Sequence, residues 1–149
     1  MQTVVENFRK SKRFPGVIGA IDGSHIPIRA PREDHVSYVN RKGFYSIILQ
    51  AVCDGQSMFT HCYAGPVGSV HNARVFRNSP AADFLNSPAQ YFPNDTHLIA
   101  DAAYSLHTHV MVPFKDNGHL TRRQKNYNFR LSSTRMAIER AFGLLKNEV

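Results

Sequence analysis

Residues 17–28 have the sequence VIGAIDGSHIPI and predict the first element of the fold. Their first apolar run ends at Asp22 and Gly23. A short apolar run stopped by a turn dipeptide is typical of a buried strand, so we predict a strand over residues 17–22. Residues 25–28 continue the apolar pattern, but Pro27 has no N–H to donate, which favours a sheet edge or a bulge there. The fold therefore begins with a buried strand that ends in an acid.

The next two segments predict a hairpin. Residues 44–53 are rich in β-branched and aromatic side chains and end at Asp54-Gly55, a frequent hairpin turn. Residues 58–64 alternate between apolar and polar side chains, as expected of the returning strand. We therefore expect three consecutive strands before the first helix.

The second half of the chain alternates helices with short strands. Ser69 is the predicted N-cap of a helix, and residues 96–100 and 110–113 have the pattern of short strands. Thr121 and Gln124 match a capping box that begins a basic helix. The order β-β-β-α-β-(β)-α predicts an α/β fold, with a mixed sheet flanked by helices.

The composition is that of one globular domain. Of the 149 residues, 42% are hydrophobic and 19% charged, so the chain can bury a core and is neither disordered nor collagen-like. No apolar run reaches the roughly 18–20 residues that cross a bilayer, and residues 1–13 lack the apolar core of a secretory signal. We therefore expect neither a secreted protein nor any contact with a membrane.

Positive charge is concentrated near both ends of the sequence. Lysine and arginine number 18 against 11 acids, for a net charge of +7, and residues 115–149 hold eight of these basic residues against three acids. A second basic cluster lies at residues 9–13. Clustered positive charge suits a polyanion such as nucleic acid, whereas for net charge alone a solubilising surface is the preferred interpretation.

Three acids occupy positions where predicted elements end or meet. Asp22 and Asp101 each follow a strand, and Glu139 lies on the last helix. Each has an ordinary explanation on its own: a turn residue, a cap, and a surface pair with Arg135 four residues earlier. Together, acids from separate strands and a helix can converge where those elements meet, and hard cations need such oxygen ligands.

Glu139 also borders an apolar stripe of the last helix. The stripe consists of Leu131, Ile138, Phe142, Leu145 and Val149 at helical spacing. A carboxylate at the edge of a buried face needs a partner, and the sequence offers Arg135, Arg140 or a metal ion.

Other catalytic patterns do not occur in the sequence. The eight histidines show no HExxH or comparable ligand spacing, and the two cysteines cannot supply a structural zinc site. There is no GxSxG, P-loop or GxGxxG motif. Serine hydrolases and nucleotide-dependent enzymes are therefore disfavoured.

Seven blocks of the sequence together identify a family. They are GAIDGSHI at 19–26, YVNRKG at 38–43, QAVCD at 50–54, GSVH at 68–71, DAAY at 101–104, VPF at 112–114 and ERAFG at 139–143. In this order, and over residues 16–149, the chain resembles the DDE nuclease domain of PIF/Harbinger-type transposases and of the nucleases domesticated from them.

The resemblance implies a ribonuclease-H-like fold with a site for Mg²⁺ or Mn²⁺. Its catalytic acids and metal ligands are Asp22, Asp101 and Glu139, so Asp22 changes from a turn residue to a ligand. The family commonly has an aspartate at the position of Asn72, which keeps a carbonyl oxygen for a metal but lacks the charge. Residues 1–15 would be a basic N-terminal segment, and residues 16–149 the endonuclease domain, truncated at both ends relative to the family.

The function implied is a metal-dependent endonuclease that hydrolyses DNA phosphodiester bonds, located in the nucleus with the cytoplasm as a second location. The candidate phosphate contacts are Arg41, Lys42, Arg122, Arg123 and Lys125. The alternative is an inactive remnant that binds DNA or a protein, such as the Myb-like DNA-binding protein that accompanies this family. A nuclease acting on RNA is a third interpretation, because ribonuclease-H-like folds serve both substrates.

Overall fold

The computed structural model describes residues 14–147 and contains a five-stranded mixed sheet. Its strands are β1 (Val17–Pro27), β2 (Ser46–Cys53), β3 (Phe59–Val67), β4 (His97–Ile99) and β5 (Val110–Met111). The order across the sheet is β3-β2-β1-β4-β5; the β1–β2 and β2–β3 pairs are antiparallel, and the β1–β4 and β4–β5 pairs are parallel. The expected α/β fold, a ribonuclease-H-like mixed sheet flanked by helices, is confirmed.

Helices cover both faces of this sheet. Three short helices, α1 (Asn72–Arg77), α2 (Pro80–Phe84) and α3 (Pro88–Tyr91), lie on one face, and the 26-residue α4 (Arg122–Asn147) lies on the other. Short 3₁₀ turns occupy His35–Tyr38 and Pro93–Asp95. Within residues 14–147, no helix has the length and apolar character that crossing a membrane requires.

Side chains of β1 and β4 alternate between two buried clusters. Ala20 and Ile99 pack against Leu131 of α4, whereas Ile21 and Leu98 pack under the short helices. A strand covered on both faces has apolar residues at successive positions rather than at alternate ones. This explains why β1 begins as a continuous apolar run.

The N-terminus of α4 is fixed as the sequence predicts. The Thr121 N–H donates to the Gln124 Oε1 at 2.8 Å, and the Gln124 N–H donates to the Thr121 Oγ1 at 3.2 Å. This reciprocal pair satisfies donors that have no partner inside the helix. The stripe residues Leu131, Ile138 and Phe142 are buried; Val149 lies outside the described residues, as do residues 1–13 of the predicted basic segment.

Two predicted boundaries are wrong. β1 does not stop at Asp22 but continues to Pro27, because its second half pairs with β2 as far as Ser46. Ser69 does not cap a helix, since α1 begins at Asn72 and the Ser69 N–H donates to the Ser37 carbonyl at 3.2 Å. In both cases a long-range pairing overrides a local signal.

Candidate active site

Asp22 and Asp101 lie side by side because of the parallel register between β1 and β4. Ala20 pairs with Ile99, the last residue of β4, so two steps along each chain bring the two aspartates level. An offset of two residues returns a side chain to the same face of a sheet. Both carboxylates therefore lie on the face that α4 covers.

A guanidinium from α4 lies between the two aspartates. The Arg135 Nη2 is 3.4 Å from the Asp22 Oδ2 and 3.8 Å from the Asp101 Oδ2. The side chains of Arg135 and Asp22 are only 12% and 17% exposed, and that of Asp101 is 33% exposed. Two neighbouring carboxylates repel each other, and a shared cation reduces that repulsion.

Backbone donors orient both carboxylates in the same way. The Asp22 Oδ1 accepts the Gly23 N–H at 2.8 Å, and the Asp101 Oδ1 accepts the Ala103 N–H at 2.9 Å. The Oδ2 atom of each is then directed to Arg135. We call Asp22 and Asp101 the acid pair.

Burial raises the pKa of Asp22 from 3.8 to about 6. The Gly23 N–H and the Arg135 guanidinium act to lower it, whereas the charges of Asp101 and Glu139 act to raise it. Burial is the largest of these effects, so Arg135 only partly offsets the cost of holding a carboxylate at this position.

Tyr104 is a buried neighbour of the acid pair that sequence reasoning did not assign. It is 4% exposed, and in the described part of the chain its hydroxyl has no hydrogen-bond partner. Burial, together with the charges of Asp22 and Asp101, raises the pKa of Tyr104, which keeps the phenol neutral. The sequence feature that could have identified Tyr104 is its position at the end of the block DAAY, three residues after Asp101.

Glu139 lies one turn beyond Arg135 on α4 and is exposed. Its charge contributes to the raised pKa of Asp22, which puts it in the same electrostatic environment. It makes no ion pair with another described residue, and Arg135 pairs with the aspartates instead. Of the three partners predicted for Glu139, neither Arg135 nor Arg140 forms an ion pair with it among the described residues, and a metal ion stays a prediction.

The donor set suits a hard divalent cation, although a complete three-acid group is not assembled. Among residues 14–147, no three histidine, cysteine, aspartate or glutamate side chains are close enough to hold a metal ion together. The acid pair nevertheless already shares one positive group, Arg135, and carboxylate oxygens are the ligands that Mg²⁺ and Mn²⁺ prefer. The role of Asp22, Asp101 and Glu139 as metal ligands stays a prediction.

Asn72 lies at the rim of this site, against the residue that follows Asp22. A Cβ on Gly23 would be 2.5 Å from the Asn72 Oδ1, so only glycine allows this close approach of α1 to β1. Because side chains alternate along β1, this approach is on the face of the short helices, opposite to the Asp22 carboxylate.

The five candidate phosphate contacts divide between two regions. Arg41 and Lys42 are exposed in the turn before β2, and Arg41 lines a cleft that Asn72 and Ala103 also line. The other three, Arg122, Arg123 and Lys125, are exposed in the first turn of α4. At 1.5 Å per residue, Arg123 lies about 24 Å from Glu139 along the helix axis. The structure therefore does not bring the basic first turn of α4 together with Glu139.

The chain is similar to one family over most of its length. Residues 21–148 match the family model described as DDE superfamily endonuclease. The protein named "Putative nuclease HARBI1" from Rattus norvegicus is 31% identical over 97% of this chain, and the protein of the same name from Homo sapiens is 29% identical over 97%. The chain spans 40% of the length of each of these relatives. No solved structure gives a significant match.

Proposed function

Because the chain belongs to the DDE superfamily endonuclease family, we propose that it is a divalent-metal-dependent endonuclease that hydrolyses DNA phosphodiester bonds. One observation supports this more than any other. The acid pair has its two Oδ1 atoms anchored by backbone N–H groups and its two Oδ2 atoms directed at one shared cation. This arrangement gives a positive ion two oriented carboxylate oxygens beside the end of β4.

Asp22 and Asp101 would hold Mg²⁺ or Mn²⁺, with Glu139 as a third carboxylate and Asn72 as a neutral oxygen donor. When bound, the ion supplies Lewis-acid stabilisation of the charge that develops on the phosphate oxygens. The chain's own contribution is orientation, because the Gly23 and Ala103 N–H groups fix the carboxylates before any cation arrives.

Arg135 partly compensates the charge of the acid pair when no metal ion is bound. Two carboxylates that are largely buried and close together would be costly without a positive neighbour. The guanidinium supplies that neighbour, and a divalent ion bound between the two Oδ2 atoms would supply it in the same place.

The basic surface is the proposed means of holding the DNA backbone. Arg41, Lys42, Arg122, Arg123 and Lys125 are all exposed, and the net charge is +7. Neutralised phosphates release counterions, which favours binding to DNA regardless of sequence. A nuclear location follows from this substrate, with the cytoplasm as the second location and a Myb-like DNA-binding protein as the proposed partner.

A second candidate is a catalytically silent domain that binds DNA or a protein. Two observations favour it: Asn72 stands where the family commonly has an aspartate, and the acid pair is occupied by Arg135. Such a domain would keep its basic surface and its affinity for DNA.

Plasmid nicking by the purified protein distinguishes these functions. We expect Mn²⁺-dependent nicking that stops in EDTA, and a loss of at least about 100-fold in Asp22→Asn and Asp101→Asn, because each loses a charged ligand. Asp83→Asn is the matched control, since Asp83 is exposed on α2 and belongs to the opposite face of the sheet.

Each outcome of this assay assigns the protein to one class. Undiminished nicking by Asp22→Asn would rule out the acid pair as the catalytic centre. DNA binding without nicking by the wild-type chain would favour the silent domain. Cleavage of an RNA strand but not of a DNA strand of the same sequence would identify RNA as the substrate.

A further inference from the structure

A polar cleft of about 590 Å³ lies beside the acid pair. Its lining includes Arg41, His25, His71 and Ser69, and none of the described residues that line it is an aspartate or a glutamate. A concave surface with cationic and hydrogen-bonding groups but no carboxylate has a positive potential and favours an anion. We call it the basic cleft.

The basic cleft and the acid pair are contiguous. Ala103, which lines the cleft, donates its N–H to the Asp101 Oδ1 at 2.9 Å. Asn72, another lining residue, contacts Gly23 next to Asp22. The cleft therefore meets the acid pair at the loop that carries Asp101 and Ala103, whereas Asn72 and Gly23 lie on the face of the sheet opposite to the Asp22 carboxylate.

Backbone hydrogen bonds connect the two loops that form the walls of the cleft. The Gly68 N–H donates to the Ser46 carbonyl at 2.9 Å, and the Ser69 N–H donates to the Ser37 carbonyl at 3.2 Å. A Cβ on Gly68 would collide with the Ser46 hydroxyl and with the carbonyl of Tyr38, so this contact requires glycine. The cleft is thus preformed and does not need a ligand to assemble it.

The turn that carries Arg41 is held by a buried asparagine. Asn40 is 5% exposed; its Oδ1 accepts the Lys42 N–H and its Nδ2 donates to the Ser46 Oγ, both at 2.9 Å. The His25 Nδ1 lies 2.9 Å from the same Ser46 Oγ. One hydroxyl therefore links the Arg41 turn to the floor of the cleft on β1.

Arg41 is directed across the cleft by a histidine. Its Nη2 lies 2.8 Å from the His71 Nδ1 and 3.4 Å from the His71 Nε2, and an imidazole, unlike a carboxylate, carries no negative charge. The positive charge of Arg41 is therefore not offset by its partner. The other guanidinium N–H groups remain as donors, and their planar fork matches the oxygens of a phosphate.

We propose that the basic cleft binds a backbone phosphate of the DNA strand, with Arg41 as its donor and His71 as the residue that positions Arg41. This assignment rests on the proposed nuclease function, because a strand whose scissile bond lies at the acid pair continues into the neighbouring cleft. It adds a defined subsite to that function: one phosphate next to the acid pair is bound by the protein without a metal ion.

The test measures binding of a fluorescein-labelled single-stranded DNA oligonucleotide in EDTA, by anisotropy over a series of salt concentrations. We expect Arg41→Gln to weaken binding about fivefold to tenfold and to reduce the salt slope by about one phosphate contact. Arg130→Gln is the matched control, because Arg130 is also an exposed arginine but lies on α4 beside Phe14 and Tyr127, away from the cleft. It should change the affinity by less than about twofold.

An oligonucleotide with neutral methylphosphonate linkages identifies the group that is bound. With this probe, the difference between the wild-type chain and Arg41→Gln should disappear, because the cleft no longer has an anion to bind. A persistent difference would mean that Arg41 contacts bases or sugars, and would overturn the phosphate assignment.

The positioning role of His71 has its own readout. His71→Gln keeps an acceptor for Arg41 and should retain the wild-type salt slope, whereas His71→Leu should reduce it toward that of Arg41→Gln. Equal affinity and slope in Arg41→Gln and Arg130→Gln would overturn the whole inference.

The failure of this inference is distinguishable from the failure of the nuclease proposal. Because binding is measured in EDTA, it does not depend on cleavage. If Asp22→Asn abolishes nicking while Arg41→Gln binds normally, the nuclease proposal stands and the subsite is wrong. If Arg41 is needed for binding but the wild-type chain never cuts, the phosphate subsite is confirmed and the domain is catalytically silent.

Discussion

The acid pair and the basic cleft share a wall but compensate their charge differently. In the acid pair, the Arg135 guanidinium lies within 3.8 Å of both carboxylates. In the basic cleft, the partner of Arg41 is an imidazole rather than a carboxylate, and no described lining residue is acidic. The fold itself partly compensates the charge of the acid pair, whereas the charge of the basic cleft stays open to an external ligand.

This difference predicts how each region binds its ligand. A cation that enters the acid pair has to displace Arg135, so its affinity is reduced by the strength of that contact. An anion that enters the basic cleft displaces only water, because Arg41 keeps free donors. DNA binding should therefore precede metal binding and should not depend on it.

The pH dependence of the free energy of unfolding should change most, and it shows how far Arg135 offsets the charge of the acid pair. The folded chain keeps a proton on Asp22 up to a pH of about 6, whereas the unfolded chain releases it near the ordinary pKa of 3.8. Between these values unfolding releases a proton, so the free energy of unfolding should fall as the pH rises. A difference of about two pKa units corresponds to about 3 kcal/mol.

Urea denaturation of the wild-type chain and of Asp22→Asn between pH 4 and pH 7 measures this effect. The decline should be smaller by about 3 kcal/mol in Asp22→Asn, which cannot ionise, and unchanged in the control Asp83→Asn. If the curves of the wild-type chain and Asp22→Asn run parallel, Arg135 offsets the charge completely and the partial compensation described here is incorrect.

The next prediction concerns a variant that lacks the internal cation, Arg135. Arg135→Met keeps an unbranched apolar stem but leaves Asp22 and Asp101 without a positive neighbour, which should lower the free energy of unfolding at pH 7 by about 2 kcal/mol. Mn²⁺ should then raise the melting temperature more than in the wild-type chain, because the ion meets no competitor.

Thermal melts with and without Mn²⁺ check this result, with Arg130→Met as the control for loss of an exposed arginine on the same helix. An identical Mn²⁺ shift in Arg135→Met and in the wild-type chain would show that Arg135 does not compete with a cation. The acid pair and the basic cleft would then differ only in the sign of their charge.

Local signals predicted most of the fold correctly. The apolar run of β1, the hairpin turn at Asp54-Gly55 and the capping box at Thr121 and Gln124 depend on residues close together in sequence, and the structure has each of them. The order of the strands and the long last helix was therefore predictable from periodicity and turn chemistry, whereas the short helices α2 and α3 were not predicted.

The contacts that build the site depend on long-range register and were not predictable. The Asp22-Gly23 dipeptide has the local signature of a turn, but pairing with β2 extends the strand through it. Arg135 was a candidate partner for Glu139, four residues away, yet it pairs with Asp22, 113 residues away. Likewise, the blocks YVNRKG and GSVH were visible, but nothing local relates Arg41 to His71.

The smallest effect concerns Asn72, which lines the basic cleft and contacts Gly23, the residue after Asp22. Asn72→Asp adds a negative charge beside the acid pair and removes positive potential from the basic cleft. A unit charge about 8 Å from a divalent cation in water contributes about 1 kcal/mol, so Mn²⁺ affinity should rise about fivefold by calorimetry. DNA affinity in EDTA should fall by a similar or smaller factor, because the same charge repels a phosphate in the cleft.

Asn86→Asp is the control for this variant, since Asn86 is exposed after α2 and receives the same change of charge away from the site. Opposite changes in Mn²⁺ and DNA affinity, found only in Asn72→Asp, would confirm that one wall serves both regions. If DNA affinity is unchanged, Asn72 borders the acid pair alone and the cleft lies further away. If Asn72→Asp nicks plasmid while the wild-type chain only binds it, the missing charge at position 72 is what silences the acid pair, and the basic cleft functions without it.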